Sequence, residues 1–253
     1  MQLEDLHTHS TMSDGRLTPQ QLAEAARDRG IRVGLTDHCL YYGMRTDEEF
    51  ATYMETARNL GLYLGLEHDI GRPCAFPGFI TRELDYLIGS VHHFIVGYEQ
   101  VLFSPYFKAR LHGLPYEYPQ ALGDPRELLE RTADIIAQSL ATSPVDILGH
   151  VTVLPPAHVL GLEAAFSRDW CARVVKAAVA NDVAIEISGH WHSPHREFLE
   201  IASEEGATFA VGSDSHSAHG LFDLRYPAEM IAGLGIPDGR IFVPLSKAPR
   251  VRR

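Results

Sequence analysis

Histidine and carboxylate recur along this chain in short clusters: His7-Thr8-His9, Asp37-His38, Glu67-His68-Asp69, His92-His93, His150 and Asp214-Ser215-His216. Fourteen residues are histidine, whereas only Lys108, Lys176 and Lys247 are lysine. Imidazole and carboxylate donors without cysteine suit Zn2+, Mn2+ or Fe2+ in a catalytic rather than a structural site. Several carboxylates among many imidazoles suggest bridging between ions. Two ions about 3.5–4 Å apart can clamp the attacking and leaving oxygens of an in-line displacement. Such a centre is suited to phosphate ester hydrolysis.

A centre of this kind needs elements that bring distant segments to one place. Apolar strand-like runs cover 2–6, 31–36, 62–66, 85–91, 146–149, 183–187 and 207–212, with a further short one at 241–243. Helical patterns lie between them. Thr18, Pro19 and Gln21 read as N-cap, first helical position and capping box, with Gly30 as the stop. Thr46 and Glu49 repeat the box, and Gly61 ends that helix. Further helices open at Asp124-Pro125 and cover 168–181 and 194–205. Repeated β–α units imply a parallel sheet with helical crossovers. Seven such units in 253 residues suit a closed barrel. All but one of the seven strands finish in histidine or carboxylate at the carboxyl edge, where barrel active sites are built. A single histidine after a strand is usually a surface or core residue; six converging strand ends read as a ligand set. His7 and His9, two apart on a strand, face the same way.

The exception is 94–123, rich in Tyr, Phe, Pro and Gly and without a period. It reads as an irregular, lid-like insertion in a single domain spanning 1–253. Tyr98, Phe103, Tyr106, Phe107, Tyr116 and Tyr118 would form an aromatic wall over the mouth, with Arg110 adding positive charge. Apolar residues make up 45% of the chain, ordinary for a real core. The start is acidic, unlike a secretory signal. No run approaches the roughly 18 apolar residues of a membrane span. Cys39, Cys74 and Cys171 are too few and scattered for a disulfide framework. A cytoplasmic protein with no membrane partner is the simplest expectation. The net charge of −11, with no basic run except Arg250-Val251-Arg252-Arg253, argues against long nucleic acid as a partner. It does not exclude a small anion, because bound cations would reverse the local sign.

His7-Thr8-His9-Ser10, Ser13-Asp14-Gly15, Thr36-Asp37-His38, Gly65-Leu66-Glu67, Gly89-Ser90-Val91-His92, Gly149-His150 and Gly212-Ser213-Asp214-Ser215-His216 resemble, in order, the motifs of PHP-domain phosphoesterases. The resemblance implies a distorted (β/α)7 TIM-like barrel and a site for three divalent ions, Zn, Mn or Fe. It implies that His7, His9, Glu67 and Asp214 hold one ion. Glu67 bridges to a second, held by His92 and His150. Asp14, His38 and His216 hold the third. Within that family, the chain length and the run from Asp85 through Tyr86 and Gly89 to His92 resemble the histidinol-phosphate phosphatases of histidine biosynthesis. Those enzymes tend to carry Asn where this chain has Glu186-Ile187-Ser188, and a basic residue soon after His150, where Val151-Thr152-Val153 stands. The substrate therefore stays open between histidinol phosphate, nucleotides and other small phosphorylated molecules.

Near the expected mouth, His190, His192 and His195 are candidates for touching substrate or lying in solvated loop. His195 is the candidate proton donor to the leaving group, and Arg196 the candidate phosphate clamp. His68 and His93 read as supporting or surface residues. An amidohydrolase-like C–N hydrolase is a rival, but its common form bridges the metals with a carboxylated lysine, and no lysine lies at a strand end. A non-catalytic metal-binding domain is the other rival.

Overall fold

Local signals set most of the elements. The computed structural model describes residues 2–40, 42–74 and 76–244. Lys247 and the basic run Arg250-Val251-Arg252-Arg253 lie outside the described residues. Thr18 and Gln21 close a reciprocal capping box on α1 (Pro19–Arg29), which Gly30 ends in the left-handed conformation. After β1 (Gly34–Leu35), Thr46 and Glu49 close the same box on α2 (Asp47–Leu60). β2 (Tyr63–Asp69), α3 (Gly78–Glu83) and β3 (Tyr86–Ser90) follow. β4 (His93–Val96), β5 (Glu99–Leu102) and α4 (Ser104–His112) then interrupt the alternation. Asp124 caps α5 (Pro125–Thr142) by accepting from the Arg126 and Glu127 amides. The chain continues through β6 (Ile147–Leu148), α6 (Pro156–Leu160), α7 (Leu162–Ala165) and α8 (Arg168–Ala180). It resumes with β7 (Ala184–Ser188), α9 (Arg196–Glu204), β8 (Phe209–Gly212) and α10 (Arg225–Leu234). No helix among the described residues is long and apolar enough to cross a membrane.

The sheet runs β1-β2-β3-β6-β7-β8, parallel throughout. The expected strand over 2–6 is not a regular strand; it joins the sheet through isolated bridges at Asp5 and Thr8. Side chains replace part of its ladder: Asp5 accepts from the His7 and Ser213 amides, and Thr8 N–H donates to Thr36 Oγ1. The segment 5–9 still bonds both edges of the sheet. Leu6 N–H reaches Val211 O (2.8 Å) and Asp214 N–H reaches His7 O (2.8 Å) on one side. Gly34 N–H reaches Asp5 O (2.8 Å) and Thr36 N–H reaches Thr8 O (3.0 Å) on the other. The curled sheet is thereby closed into a seven-segment α/β barrel in one domain. The expected strand at 241–243 reduces to one bridge from Ile241 to Phe209. The insertion is also more regular than its sequence suggests: β4 and β5 pair as an antiparallel hairpin ahead of α4. Exposed faces on both strands remove the apolar period that marks the buried ones.

Leu6, Tyr63, Tyr86, Ile88, Ile147, Ala184, Ala210 and Phe242 form a core cluster separate from the larger layer between sheet and helices. Nearly every barrel segment contributes to it, so it fills the barrel floor. Side chains two apart share a face. The face that buries Tyr63 on β2 therefore carries Glu67, that of Ala184 on β7 carries Glu186, and that of Ala210 points on to Asp214. The floor and the polar centre above it are two layers of one interior.

Tyr53 couples α2 to this frame. Its hydroxyl, fully buried, accepts from Asp37 N–H (2.9 Å) and donates to Gly65 O (3.0 Å), next to His38 and Glu67. Tyr53→Phe strands both backbone groups and is expected to destabilise by ~1–3 kcal/mol. Urea unfolding should show a lower midpoint at unchanged slope; an unchanged midpoint would mean that the hydroxyl carries no net stabilisation.

Candidate metal centre

Each expected ligand reaches the barrel mouth for a local reason. His7 and His9 leave the closing segment on either side of Thr8, which bridges Ser215. His38 bridges Glu67 at the ends of β1 and β2. The Ser13-Asp14-Gly15 turn is folded back by Asp37, which accepts from Ser10 N–H (2.7 Å), Ser10 Oγ (2.7 Å) and Ser13 Oγ (2.6 Å). Gly15 is required there, because a Cβ would lie 2.4 Å from His9 O. His150 (φ 24°) and Asp214 (φ 52°) take left-handed backbone conformations. Such conformations cluster at functional sites, where packing over-determines them.

Glu67 lies at the centre. Its Oε2 faces His38 Nδ1 (3.1 Å), His7 Nε2 (3.4 Å) and His9 Nε2 (3.4 Å). Its Oε1 faces His150 Nε2 (3.1 Å) and His92 Nε2 (3.3 Å). Asp214 Oδ1 faces His9 Nε2 (3.1 Å), His7 Nε2 (3.5 Å) and His216 Nδ1 (3.7 Å). Asp14 faces His216 Nε2 (3.3 Å), His9 Nδ1 (3.7 Å) and His38 Nε2 (3.8 Å). Three overlapping groups have donor atoms within 4.8 Å of one another: His7, His9 and Asp214; His38, Glu67 and His92; and His9, Asp14, His38 and His216. His9 and His38 each belong to two of them, a sharing that motif order alone does not imply.

The electrostatics are those of a site built for cations. Burial alone would raise the Glu67 carboxyl, but His7, His92 and His38 outweigh it and hold it well below the ordinary range. Asp214 is likewise depressed, chiefly by His7 and the neighbouring His9 against burial. Burial opposes charge on His92, but Glu67 and Asp69 overcome it and push the imidazole up to about 10. His9, buried beside His216 and His38, is pushed down to about 3. His7 Nε2, both nitrogens of His9, Glu67 Oε2 and Asp214 Oδ1 are buried without a hydrogen-bond partner. Orphaned buried lone pairs are costly and rare. Divalent cations among them would satisfy these atoms, so the donor set fits metal ions.

Residues outside the expected set support it. Glu186 Oε1 lies 2.6 Å from His7 Nδ1, and its Oε2 accepts from His150 N–H (2.6 Å). The first contact directs the lone pair of His7 Nε2 inward, as carboxylates behind metal-bound histidines do. Gly212 makes room for the pair, since a Cβ there would lie 2.5 Å from both Glu186 Oε1 and His7 Cβ. Asp69 Oδ1 does the same for His92, 2.7 Å from Nδ1. Trp191 Nε1–H donates to Asp214 Oδ2 (2.5 Å).

Two candidates lie elsewhere. His195 packs its ring against Phe166 (5.9 Å) and Phe198 (6.4 Å), with Glu163 and Glu197 as charged neighbours. Arg196 is exposed; it pairs with Glu200 (2.9 Å) and donates to Gly233 O (3.2 Å) beside α10. The expected proton donor and phosphate clamp are thus turned into the helical layer, because the chain enters α9 there. His192 stacks on Tyr226 (5.0 Å), while His190 stands edge-on to Trp191 (4.7 Å). His68 and His93 are buried around Arg72, whose Nε–H donates to His93 Nε2 (2.9 Å) and whose carbonyl lies 3.2 Å from His68 Nε2. Of the expected aromatic wall, Phe107 reaches the ligands, its ring 5.9 Å from His92 and 6.0 Å from His150. Tyr98 is fully exposed and Phe103 is core. Tyr42 covers another side, 5.9 Å from His92 and 6.1 Å from His38.

The family described as PHP domain matches residues 5–190. The DNA polymerase/3'-5' exonuclease PolX of Bacillus subtilis is 23% identical over 239 residues, covering 87% of this chain and 35% of that protein. The phosphoribosyl 1,2-cyclic phosphate 1,2-diphosphodiesterase of Eggerthella lenta is 41% identical over 66 residues, 26% of this chain and 21% of that protein. The chain thus spans about a third or less of the length of these curated relatives. Among solved structures, the HpcH/HpaI aldolase from Desulfitobacterium hafniense DCB-2 is similar over 94% of this chain and 95% of that one, at a TM-score of 0.40 and 12% identity.

Proposed function

This chain belongs to the PHP domain family, and from that premise we propose that it is a metal-dependent phosphoesterase acting on a small phosphate monoester. In this reading His7, His9, Asp14, His38, Glu67, His92, His150, Asp214 and His216 hold three divalent ions. The observation that carries it is the buried set of mutually facing, unpartnered imidazole and carboxylate atoms around Glu67. Histidinol phosphate is the leading substrate by resemblance, with nucleoside monophosphates next.

Bound divalent cations would polarise phosphoryl oxygens and lower the pKa of water. The chain's own residues supply the geometry. Glu67 presents one oxygen to His7, His9 and His38 and the other to His92 and His150, as a bridging carboxylate must. Glu186 and Asp69 hold His7 and His92 with one ring nitrogen facing inward. Substrate reaches the centre over the Asp14–His216 edge, where those side chains are 54% and 37% exposed against 1% for His7 and Glu67. A groove of about 620 Å3, lined by Met12, Ser13, Tyr42, Met44 and Thr46 with the carboxylates Glu48 and Glu49, gives room for the organic part of a small ester, one that is neutral or cationic there.

A second reading has specific support: both curated relatives carry phosphodiester chemistry in their names. An amidohydrolase reading is weaker, since Lys108 lies on α4 and Lys176 on α8, paired with Glu205. Metal-reconstituted protein should be assayed on histidinol phosphate, nucleoside monophosphates, sugar phosphates, a cyclic phosphodiester and short single-stranded DNA. The highest kcat/KM is expected on a monoester and is expected to vanish with chelator. Preference for oligonucleotide, with affinity falling steeply in salt, would replace the monoester reading with the diester one. Metal-independent turnover would overturn both.

A further inference from the structure

Trp191 lies outside the ligand set, in the loop after β7, yet it touches both the centre and the insertion. Its indole N–H donates to Asp214 Oδ2. The other oxygen, Oδ1, is buried without a hydrogen-bond partner and faces His7, His9 and His216. A carboxylate offers two equivalent oxygens. Tying one to a fixed donor chooses which one faces the cations and removes rotation about the Cβ–Cγ bond. Asp214 needs such help, because it sits beyond the end of β8 in left-handed backbone.

Trp191 is itself fixed from the insertion. Its ring meets Phe107 of α4 at 5.5 Å and His150 at 6.3 Å. Its carbonyl accepts from Arg110 Nη2 (3.0 Å), and Arg110 Nη1 donates to Tyr106 Oη (3.2 Å). We infer that Trp191 is a positioning residue, through which the hairpin–helix insertion orients Asp214 toward the metal ions. The inference rests on the metal-dependent reading, and it gives the insertion a part in setting the metal centre from outside.

The test uses the full chain, stripped of metal and titrated with Mn2+. Trp191→Phe keeps an aromatic ring toward Phe107 while removing the donor and the second ring of the indole. Losing an outer hydrogen bond of this kind typically costs ~10–100-fold in metal affinity or activity, and a loss of that size is expected in calorimetric Mn2+ affinity. Thermal unfolding of the metal-free protein should be unchanged. Wild-type tryptophan emission should change on Mn2+ addition, and the change should disappear in Trp191→Phe, because Trp170 is buried in the core. Arg110→Ala should weaken Mn2+ binding less, and the double variant should be no worse than Trp191→Phe alone, as residues acting in series are non-additive. Wild-type Mn2+ affinity in Trp191→Phe, or additive losses in the double variant, would overturn the role. If Trp191→Phe does not fold, unchanged Mn2+ affinity in both Arg110→Ala and Phe107→Leu would overturn it. A wild-type protein that binds no Mn2+ or other divalent ion would instead remove the functional reading beneath it.

Discussion

Glu67→Gln is expected to lower kcat/KM by at least ~10–100-fold, the range typical when a group that supports a metal site is lost. Circular dichroism should be unchanged. The substitution preserves shape but replaces one anionic oxygen by an amide that donates rather than accepts. In the native geometry Oε2 faces three imidazoles and Oε1 two. An amide nitrogen in either position would repel a cation there and break the link between the two sides. Loss of that negative charge also removes the larger part of what holds His92 up near 10, leaving Asp69. Metal content should fall by at least one ion per chain, measured by elemental analysis alongside steady-state kinetics. Wild-type turnover with full metal content would show that Glu67 does not bridge.

Much of this centre is legible in the sequence, because a parallel barrel gathers strand ends without side-chain information. His7, His9, His38, His92, His150 and His216 each follow or flank a strand, and the fold brings them within contact of Glu67, Asp14 or Asp214. The capping boxes at Thr18 and Thr46 are equally local, so α1 and α2 begin where the pattern says. Glu186 escapes a search of strand ends because it lies inside β7. A signal exists all the same: a carboxylate in the wholly buried run Ala184-Ile185-Glu186-Ile187-Ser188 must face a partner. His195 and Arg196 show the opposite error. Nearness in sequence to the end of β7 is not nearness in space, because the turn into α9 carries them outward. Trp191 leaves no sequence signal, since an indole after a strand is equally at home in a core. The hairpin of β4 and β5 is obscured because few of its side chains are buried, so it shows no alternation.

Removing the metal with chelator is expected to abolish phosphate ester hydrolysis and to lower the unfolding midpoint, by an amount that grows as pH rises from 6 to 9. In the stripped protein, protons take the place of cations. His92 is pushed up to about 10 and His216 to about 9, where Asp14 and Asp214 outweigh burial; His7 is also raised, by Glu186 and Glu67 against burial. Each binds its proton more tightly folded than unfolded. Their contribution is complete below the ordinary value of 6.5 and is lost as pH rises through the folded values. His9 and His38 act in the other direction: burial holds both neutral, so their contribution is lost as pH falls below 6.5. Glu67 and Asp214, both depressed, contribute above the unfolded carboxylate range and lose that contribution only in strong acid. The metal-free protein should therefore be most stable near pH 6.5 and weaken toward pH 9. The loaded protein should stay level over that interval, because cations bind neutral imidazole and release these same protons, so affinity climbs and offsets the loss. A site with free ion at 100 times its Kd adds ~2.7 kcal/mol, and tenfold tighter binding adds about 1.4 kcal/mol more. Thermal melts at pH 6, 7.5 and 9, with EDTA or with Mn2+, measure the gap directly. A gap that stays constant or narrows with pH would mean that protons and metal do not compete for His7, His92 and His216, and that these imidazoles are not ligands.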